Sequence, residues 1–252
     1  MTPDDLVLVG EGFSPWTEKA RWALEHHRLP YRYEEYTPLV GEPWLRIRAN
    51  RPSGPISVPF LFAGDGRTVG DSFAIAEEAD RRGDGRALVP AELRDEITAW
   101  NDRSERLMRA GRAQILARTE ESKEVQIESL PPHLPRALRG VLAPTVRVAT
   151  AYLRKKYAVR PVSDEELEAE LAPIRAAISR TRTSDDPTRP LLGHFTLADV
   201  AIATALQAVR PHTTEPAGLL PAQREAWARP ALAARWEDVL AWRDAMLERR
   251  AA

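Results

Sequence analysis

The sequence predicts an α/β N-terminal domain followed by an all-α C-terminal helical bundle, and three observations carry that prediction. Apolar or alternating runs of strand length (Leu6–Val9, Tyr31–Tyr36, Val58–Phe62, Thr68–Val69) all fall in the first third of the chain. Helix-like segments separate them there and then continue alone to the C-terminus. Between the two regimes lies Gly83-Asp84-Gly85-Arg86, which carries no large apolar side chain and reads as the start of a linker. The expected division is 1–82, a linker at 83–91, and 92–252.

Leu6-Val7-Leu8-Val9 is continuously apolar, as central strands are. The first helix spans about Pro15 to His27, with Trp16, Ala20, Ala23 and Leu24 on one face and Glu18, Lys19, Arg21 and Glu25 mostly off it. Tyr31–Tyr36 alternates aromatic and charged residues, so a right-handed βαβ unit with parallel strands is expected. Gly41–Ala49 suggests a short helix carrying Trp44, Leu45 and Ile47. Asp65-Gly66 marks a hairpin between Val58–Phe62 and Thr68-Val69, and a third helix runs from Phe73 to about Arg82. The order is β-α-β-α-β-β-α.

Beyond the linker, Glu92 to about Thr119 is one long helix. The stretch 120–135 is polar and then proline-rich. Arg136–Tyr157 resumes a helical pattern with a bend expected at Pro144. Ser163-Asp164-Glu165-Glu166 fits a capping box opening a helix to about Arg180, and Thr183–Arg189 reads as a loop. Thr196-Leu197-Ala198-Asp199 is a second box-like cap, placed before an almost wholly apolar helix, Val200–Val209. A terminal helix is expected over Pro230–Arg249. Trp100, Trp236 and Trp242 read as core.

Composition narrows the function. A net charge of -1 gives no electrostatic reason to expect nucleic acid or an anionic membrane as partner. Cysteine is absent, which excludes disulfides, thiolate metal sites and cysteine nucleophiles, and fits a cytoplasmic location. The start of the chain carries no signal-peptide pattern, and no apolar stretch is long enough to span a bilayer. The five histidines show no metal-ligand spacing with carboxylates, so no metal is expected.

The chemistry concentrates at Gly12-Phe13-Ser14-Pro15-Trp16-Thr17. A strand, a short turn, a serine and a helix start place a hydroxyl beside free backbone N–H groups and the positive end of a helix dipole, where an anion is stabilised. A thiolate is the anion expected there. From the residues alone a simpler alternative stands, in which Ser14 only caps the helix, with Pro15 at its first position.

The order of elements and four motifs together resemble the soluble glutathione transferases. Ser14-Pro15-Trp16-Thr17 occupies the C-x-x-C position of thioredoxin-like domains and resembles the serine-type active site. Val58-Pro59 resembles the family's cis-proline, Asp71-Ser72 its acid–serine pair opening helix three, and Thr196-Leu197-Ala198-Asp199 its capping box. The sequence departs from the pattern at Ile56-Ser57, where a lysine is frequent, at Asp71 in place of glutamate or glutamine, and in a long segment from Pro131 to Tyr157.

The resemblance implies a thioredoxin-like N-terminal domain, glutathione as co-substrate with no other cofactor, an apolar electrophile as second substrate, and a homodimer. It implies that Ser14 donates a hydrogen bond to the glutathione sulfur. Such a bond to a charged group contributes roughly 1.5–3 kcal/mol, which lowers a thiol pKa of about 8.5 by on the order of one to two units. Val58 would pair main chain to main chain with the tripeptide; the alternative is a trans proline opening an edge strand. Asp71 would hold the ammonium of the γ-glutamyl end, and Ser72 with nearby amides its carboxylate; the alternative is a plain helix cap. Trp16 is the remaining substrate-binding candidate, and Met108, Arg112 and Ile115 are candidates for the apolar side of the cleft. Arg103–Arg112 as a stretch reads as a solvated helix face, with part of that helix lining the cleft. Rival readings are a non-catalytic transferase-like ligand-binding or protein-interaction protein, and a cysteine-free reductase, dehalogenase or isomerase that uses glutathione.

Overall fold

The structure, a computed structural model, describes residues 6–131, 134–181, 188–212 and 219–251. Strands β1 (Leu6–Gly10), β2 (Tyr31–Glu35), β3 (Phe60–Phe62) and β4 (Thr68–Gly70) form one mixed sheet in the order β2-β1-β3-β4. β1 runs parallel to β2, with Leu6 opposite Tyr31. β3 is antiparallel to both β1 and β4. The predicted third strand is shorter than expected and starts at Phe60, since Pro59 has no N–H for the ladder; the Val58–Pro59 peptide is cis.

Helices α1 (Pro15–His26) and α3 (Ser72–Arg82) cover one face of the sheet, and α2 (Gly41–Arg48) the other. This explains a central strand with no polar residue: Leu6 and Leu8 join the core under α1 and α3, while Val7 and Val9 pack with Leu45, Phe60 and Phe62. Two of the apolar residues predicted for α2 are not core. Leu45 is buried, but Trp44 and Ile47 lie on the outer side and are exposed.

The chain then becomes helical, with α4 (Arg94–Glu121), α5 (Lys123–Glu128), α6 (Arg136–Leu142), α7 (Val146–Lys156), α8 (Asp164–Arg180), α9 (Leu197–Ala205), α10 (Pro221–Trp227), α11 (Pro230–Arg235) and α12 (Glu237–Ala251). The bend predicted at Pro144 is a 3-10 turn between α6 and α7. α5 and α10 are too short for periodicity to have shown them. The single terminal helix expected over 230–249 is broken at Trp236, between α11 and α12. Most of the loop predicted at 183–189 lies outside the described residues.

α9 is buried along its whole length and packs against α4, α1 and α12, so it is the pivot of the helical region. Its entry is fixed by Asp199, whose buried carboxylate accepts from the amides of Leu191 and Thr196, each at 2.8 Å. The Thr196 hydroxyl also donates to that carboxylate, at 3.3 Å. The predicted box at Ser163 forms in both directions at 3.2 Å. Between α3 and α4 the chain is clasped by Asp80, which accepts from the amides of Leu88 and Val89 at 2.8 Å.

One side chain contradicts the helical-wheel reading of α1. Lys19, placed outside the apolar face, is fully buried. α1 packs against α3 and α9 and meets α4 through Trp16 and Lys19, so its second face meets protein rather than water. The Lys19 ammonium donates to Asn101 Oδ1 at 2.7 Å and to Glu105 Oε1 at 3.2 Å, both on α4. Burial pushes its pKa down, and the Glu105 carboxylate opposes that shift.

Candidate active site

The end of β1, the turn after it and the start of α1 set the first functional group. Thr17 folds back so that its Oγ1 accepts from the Glu11 amide at 3.2 Å. Gly10 is required for this approach, since a Cβ there would lie 2.5 Å from Thr17 Cγ2. The Ser14 amide donates to Glu11 O at 3.0 Å, and Ser14 O accepts the first helical bond from Glu18 at 2.9 Å. From the helical region, Gln207 Nε2 holds Phe13 O at 2.8 Å.

Ser14 therefore occupies the N-cap position, with φ −77° and ψ 126°, but its hydroxyl makes no capping bond. It is only 6% exposed and lines a cavity of about 370 Å³ between the sheet-end loops and α4, α7 and α10. Apolar side chains, among them Phe13, Leu39, Ile115, Leu153 and Trp227, make most of that wall.

A second, more polar cavity of about 870 Å³ adjoins it and is lined by Asp71, Ser72, Val58, Pro59 and Arg109. Asp71 adopts φ 85°, a region L-residues rarely visit, and caps α3. Its Oδ1 accepts from the amides of Phe73 at 2.7 Å and Ala74 at 3.4 Å. These amides are thus already engaged, which revises the expectation that several free amides would hold a carboxylate there. The Ser72 hydroxyl is buried and has no partner among the described residues. Arg109 lines this cavity with no ion pair among the described residues, whereas its neighbours Arg106 and Arg160 are paired to Glu170 and Glu166.

Val58, Trp16, Arg112 and Tyr157 line both cavities. The Arg112 guanidinium is stacked 4.0 Å from the Trp16 ring and 3.8 Å from the Tyr157 ring, so this sandwich is the wall between the two compartments. Trp16 is held in turn by Glu105, its Nε1 donating to Oε2 at 2.8 Å. The main chain of Val58 takes no hydrogen bond within the described residues, and the residue lines both cavities.

Of the residues singled out from the sequence, Ser14, Trp16 and Val58 meet in one compartment, and Asp71 and Ser72 join Trp16 and Val58 in the other. Arg112 and Ile115 line the cleft, whereas Met108 is fully buried in the core and reaches neither cavity. Arg112 does not lie on a solvated face. Sequence reasoning did not reveal Tyr157, Tyr36 or Glu11. Glu11 stands in the Ser14 cavity, and its carboxyl is pushed up to about 7 by burial, with Arg112 and Lys156 opposing and Glu35 reinforcing. An acid three residues before the catalytic candidate, in a loop that closes on itself, was the available signal.

The whole chain has the fold of the glutathione transferases. It matches a glutathione transferase from Phanerochaete chrysosporium with a TM-score of 0.62 at 15% identity, covering 98% of this chain and 96% of that one. A glutathione S-transferase from Ceriporiopsis subvermispora in complex with glutathione gives 0.59 at 18% identity, with 98% of each chain covered. A glutathione transferase family member from Pseudomonas fluorescens with bound S-(propanoic acid)-glutathione gives 0.53 at 16% identity, covering 97% and 98%. No curated protein sequence matches the chain significantly. Residues 13–82 match the model of the glutathione S-transferase, N-terminal domain.

Proposed function

We propose that the protein is a glutathione transferase that joins the thiolate of glutathione to an apolar electrophile. One observation carries this reading: a polar compartment and an apolar compartment share the wall at Val58, and the Ser14 hydroxyl stands on the apolar side. Glutathione carries an ammonium, two carboxylates and a thiol along an extended backbone. The polar compartment offers complementary groups, with Asp71 for the ammonium and Arg109 and Ser72 for carboxylates. The free main chain of Val58 would take the middle of the tripeptide as an added strand. The thiol would then reach Ser14, whose hydroxyl and helix N-terminus favour the ionised sulfur. Solved structures of the same fold hold bound glutathione or a glutathione conjugate, which supports glutathione as the ligand. A homodimer and a cytoplasmic site of action accompany the reading as expectations of the family.

A non-catalytic ligand-binding protein is the second reading, favoured by the Trp16–Arg112–Tyr157 wall across the direct line between the compartments. Calorimetric titration with glutathione, paired with a conjugation assay on a model aryl halide, separates the two. Wild-type protein is expected to bind and conjugate, and Asp71→Ala to weaken binding by roughly tenfold, the scale of one charge-assisted contact of about 1.5 kcal/mol. Binding without conjugation in the wild type selects the second reading. Binding that is unchanged in Asp71→Ala removes Asp71 from the site.

A further inference from the structure

A third cavity, of about 980 Å³, lies where the ends of α1, α8 and α12 meet the linker and the segment 189–195. It shares no lining residue with either compartment of the cleft. Six arginines and two histidines line it, against one carboxylate, Glu25, among the described residues. The chain as a whole carries 36 basic and 37 acidic residues, so this excess comes from the fold and not from the composition.

Glu25 is already engaged. It accepts from Arg250 Nε at 2.9 Å and Nη2 at 2.7 Å, and from the Tyr31 hydroxyl at 2.9 Å. Arg249 donates to Thr188 Oγ1 at 3.1 Å. The other four, Arg28, Arg86, Arg180 and Arg189, make no side-chain hydrogen bond or ion pair among the described residues. Arginines on other helix faces find carboxylates, as Arg175, Arg210 and Arg235 do. Helix ends account for part of the pattern, because α1, α8 and α12 all finish beside this cavity. Three C-termini, each with roughly half a negative charge, offset about one and a half of the four positive charges and leave an excess of about two.

The walls of this cavity are held in place from behind. Trp242 Nε1 donates to the carbonyls of Thr188 at 2.7 Å and Arg189 at 3.2 Å, and these bonds hold Arg189 at φ 30°, a region L-residues rarely visit. The Arg189 Nε is buried with no partner. A buried donor without an acceptor is costly, and an anion in the cavity that Arg189 lines supplies one. His26 Nε2 donates to Arg86 O at 2.9 Å and fixes the linker main chain. The rings of Trp22 and Phe195, 6.0 Å apart, form an apolar part of the lining.

We propose that this cavity binds a small molecule carrying two or three linked phosphate groups, at a site separate from the cleft. Arginine suits this class because its planar fork presents paired N–H donors to phosphate oxygens. A positive excess of about two charges is more than one carboxylate balances, and linked phosphates match it. Arg28 and Arg86 come from the end of α1 and the linker, and Arg180 and Arg189 from the helical region. The bound anion therefore ties the two parts of the chain together. The site does not depend on the transferase reading.

The test titrates the full-length protein calorimetrically with sodium tripolyphosphate and, separately, with ATP, in a buffer free of phosphate. The wild type is expected to bind, and its Tm to rise with either probe, as binding to the folded state requires. Arg189→Gln is expected to weaken binding at least about tenfold, the size of one charge-assisted contact. The double variant Arg28→Gln/Arg180→Gln changes two exposed positions, which leaves the core intact, and is expected to weaken binding by at least as much. Arg109→Gln, which alters the cleft instead, is expected to leave tripolyphosphate and ATP binding unchanged. ATP binding tighter than tripolyphosphate assigns the Trp22–Phe195 part of the lining to the base, and equal binding makes the phosphates alone the ligand; both uphold the site. No binding of either probe, binding lost in Arg109→Gln, or binding that Arg189→Gln and the double variant both leave unaltered overturns it. None of these results bears on conjugation in the cleft.

Discussion

Lys19 shows how one residue joins the two parts of the chain. Its buried ammonium is balanced by Glu105, and the same carboxylate steadies the Trp16 indole at the cleft. Removing Glu105 leaves a buried cation supported by Asn101 alone. Glu105→Ala is therefore expected to destabilise the protein by roughly 3 kcal/mol, whereas replacing Lys19 by Met is expected to cost far less, since an apolar chain of similar length leaves no buried charge. Urea denaturation of the two variants checks this, and equal losses contradict it. The logic of Ser14 was legible at this scale because strand, turn and helix start are local. Lys19 was not: periodicity says which residues share a face of α1, but not that helices of the C-terminal region cover the opposite face. Arg112 and Tyr157 escaped for the same reason, being 45 residues apart in number and joined by the stacking of the guanidinium on the Tyr157 ring.

At the scale of elements, α4 is the spine on which the cleft is built. It contributes Glu105, Arg109, Arg112 and Ile115 to the cavity walls. It also fixes α10 through Gln114 Nε2, which donates to the carbonyl of Trp227 at 2.8 Å. Gly111 permits that closeness, since a Cβ there would lie 2.6 Å from the Trp227 ring and 2.9 Å from Ala208 Cβ. Alanine is ordinarily preferred over glycine inside a helix by about 1 kcal/mol, yet overpacking costs roughly 1–3 kcal/mol. Gly111→Ala is thus expected to lower stability by about 1 kcal/mol, seen as a Tm a few degrees lower in calorimetry. A raised Tm contradicts the packing. The sequence foretold α4 from its length and apolar spacing, and both capped helices from their boxes. It did not show α5, α10 or the break at Trp236, because segments of six or seven residues hold too few turns for a period, and no glycine or proline marks the break.

The molecule as a whole places a thioredoxin-like sheet against a helical region so that a polar and an apolar compartment meet at one wall. No described helix is long and apolar enough to cross a membrane. The order of elements followed from patterning, but the division of the cleft did not, because it depends on three side chains from α1, α4 and the end of α7 meeting in space. The central claim is that Ser14 keeps a guest sulfur ionised at that meeting point. The most direct measurement is the ultraviolet absorbance of the thiolate of bound glutathione, titrated against pH in the wild type and in Ser14→Ala. The account predicts that the bound thiol ionises about one to two units below its free value of about 8.5 in the wild type and returns most of the way in the variant. A bound thiol that titrates at the same pH in both proteins contradicts it.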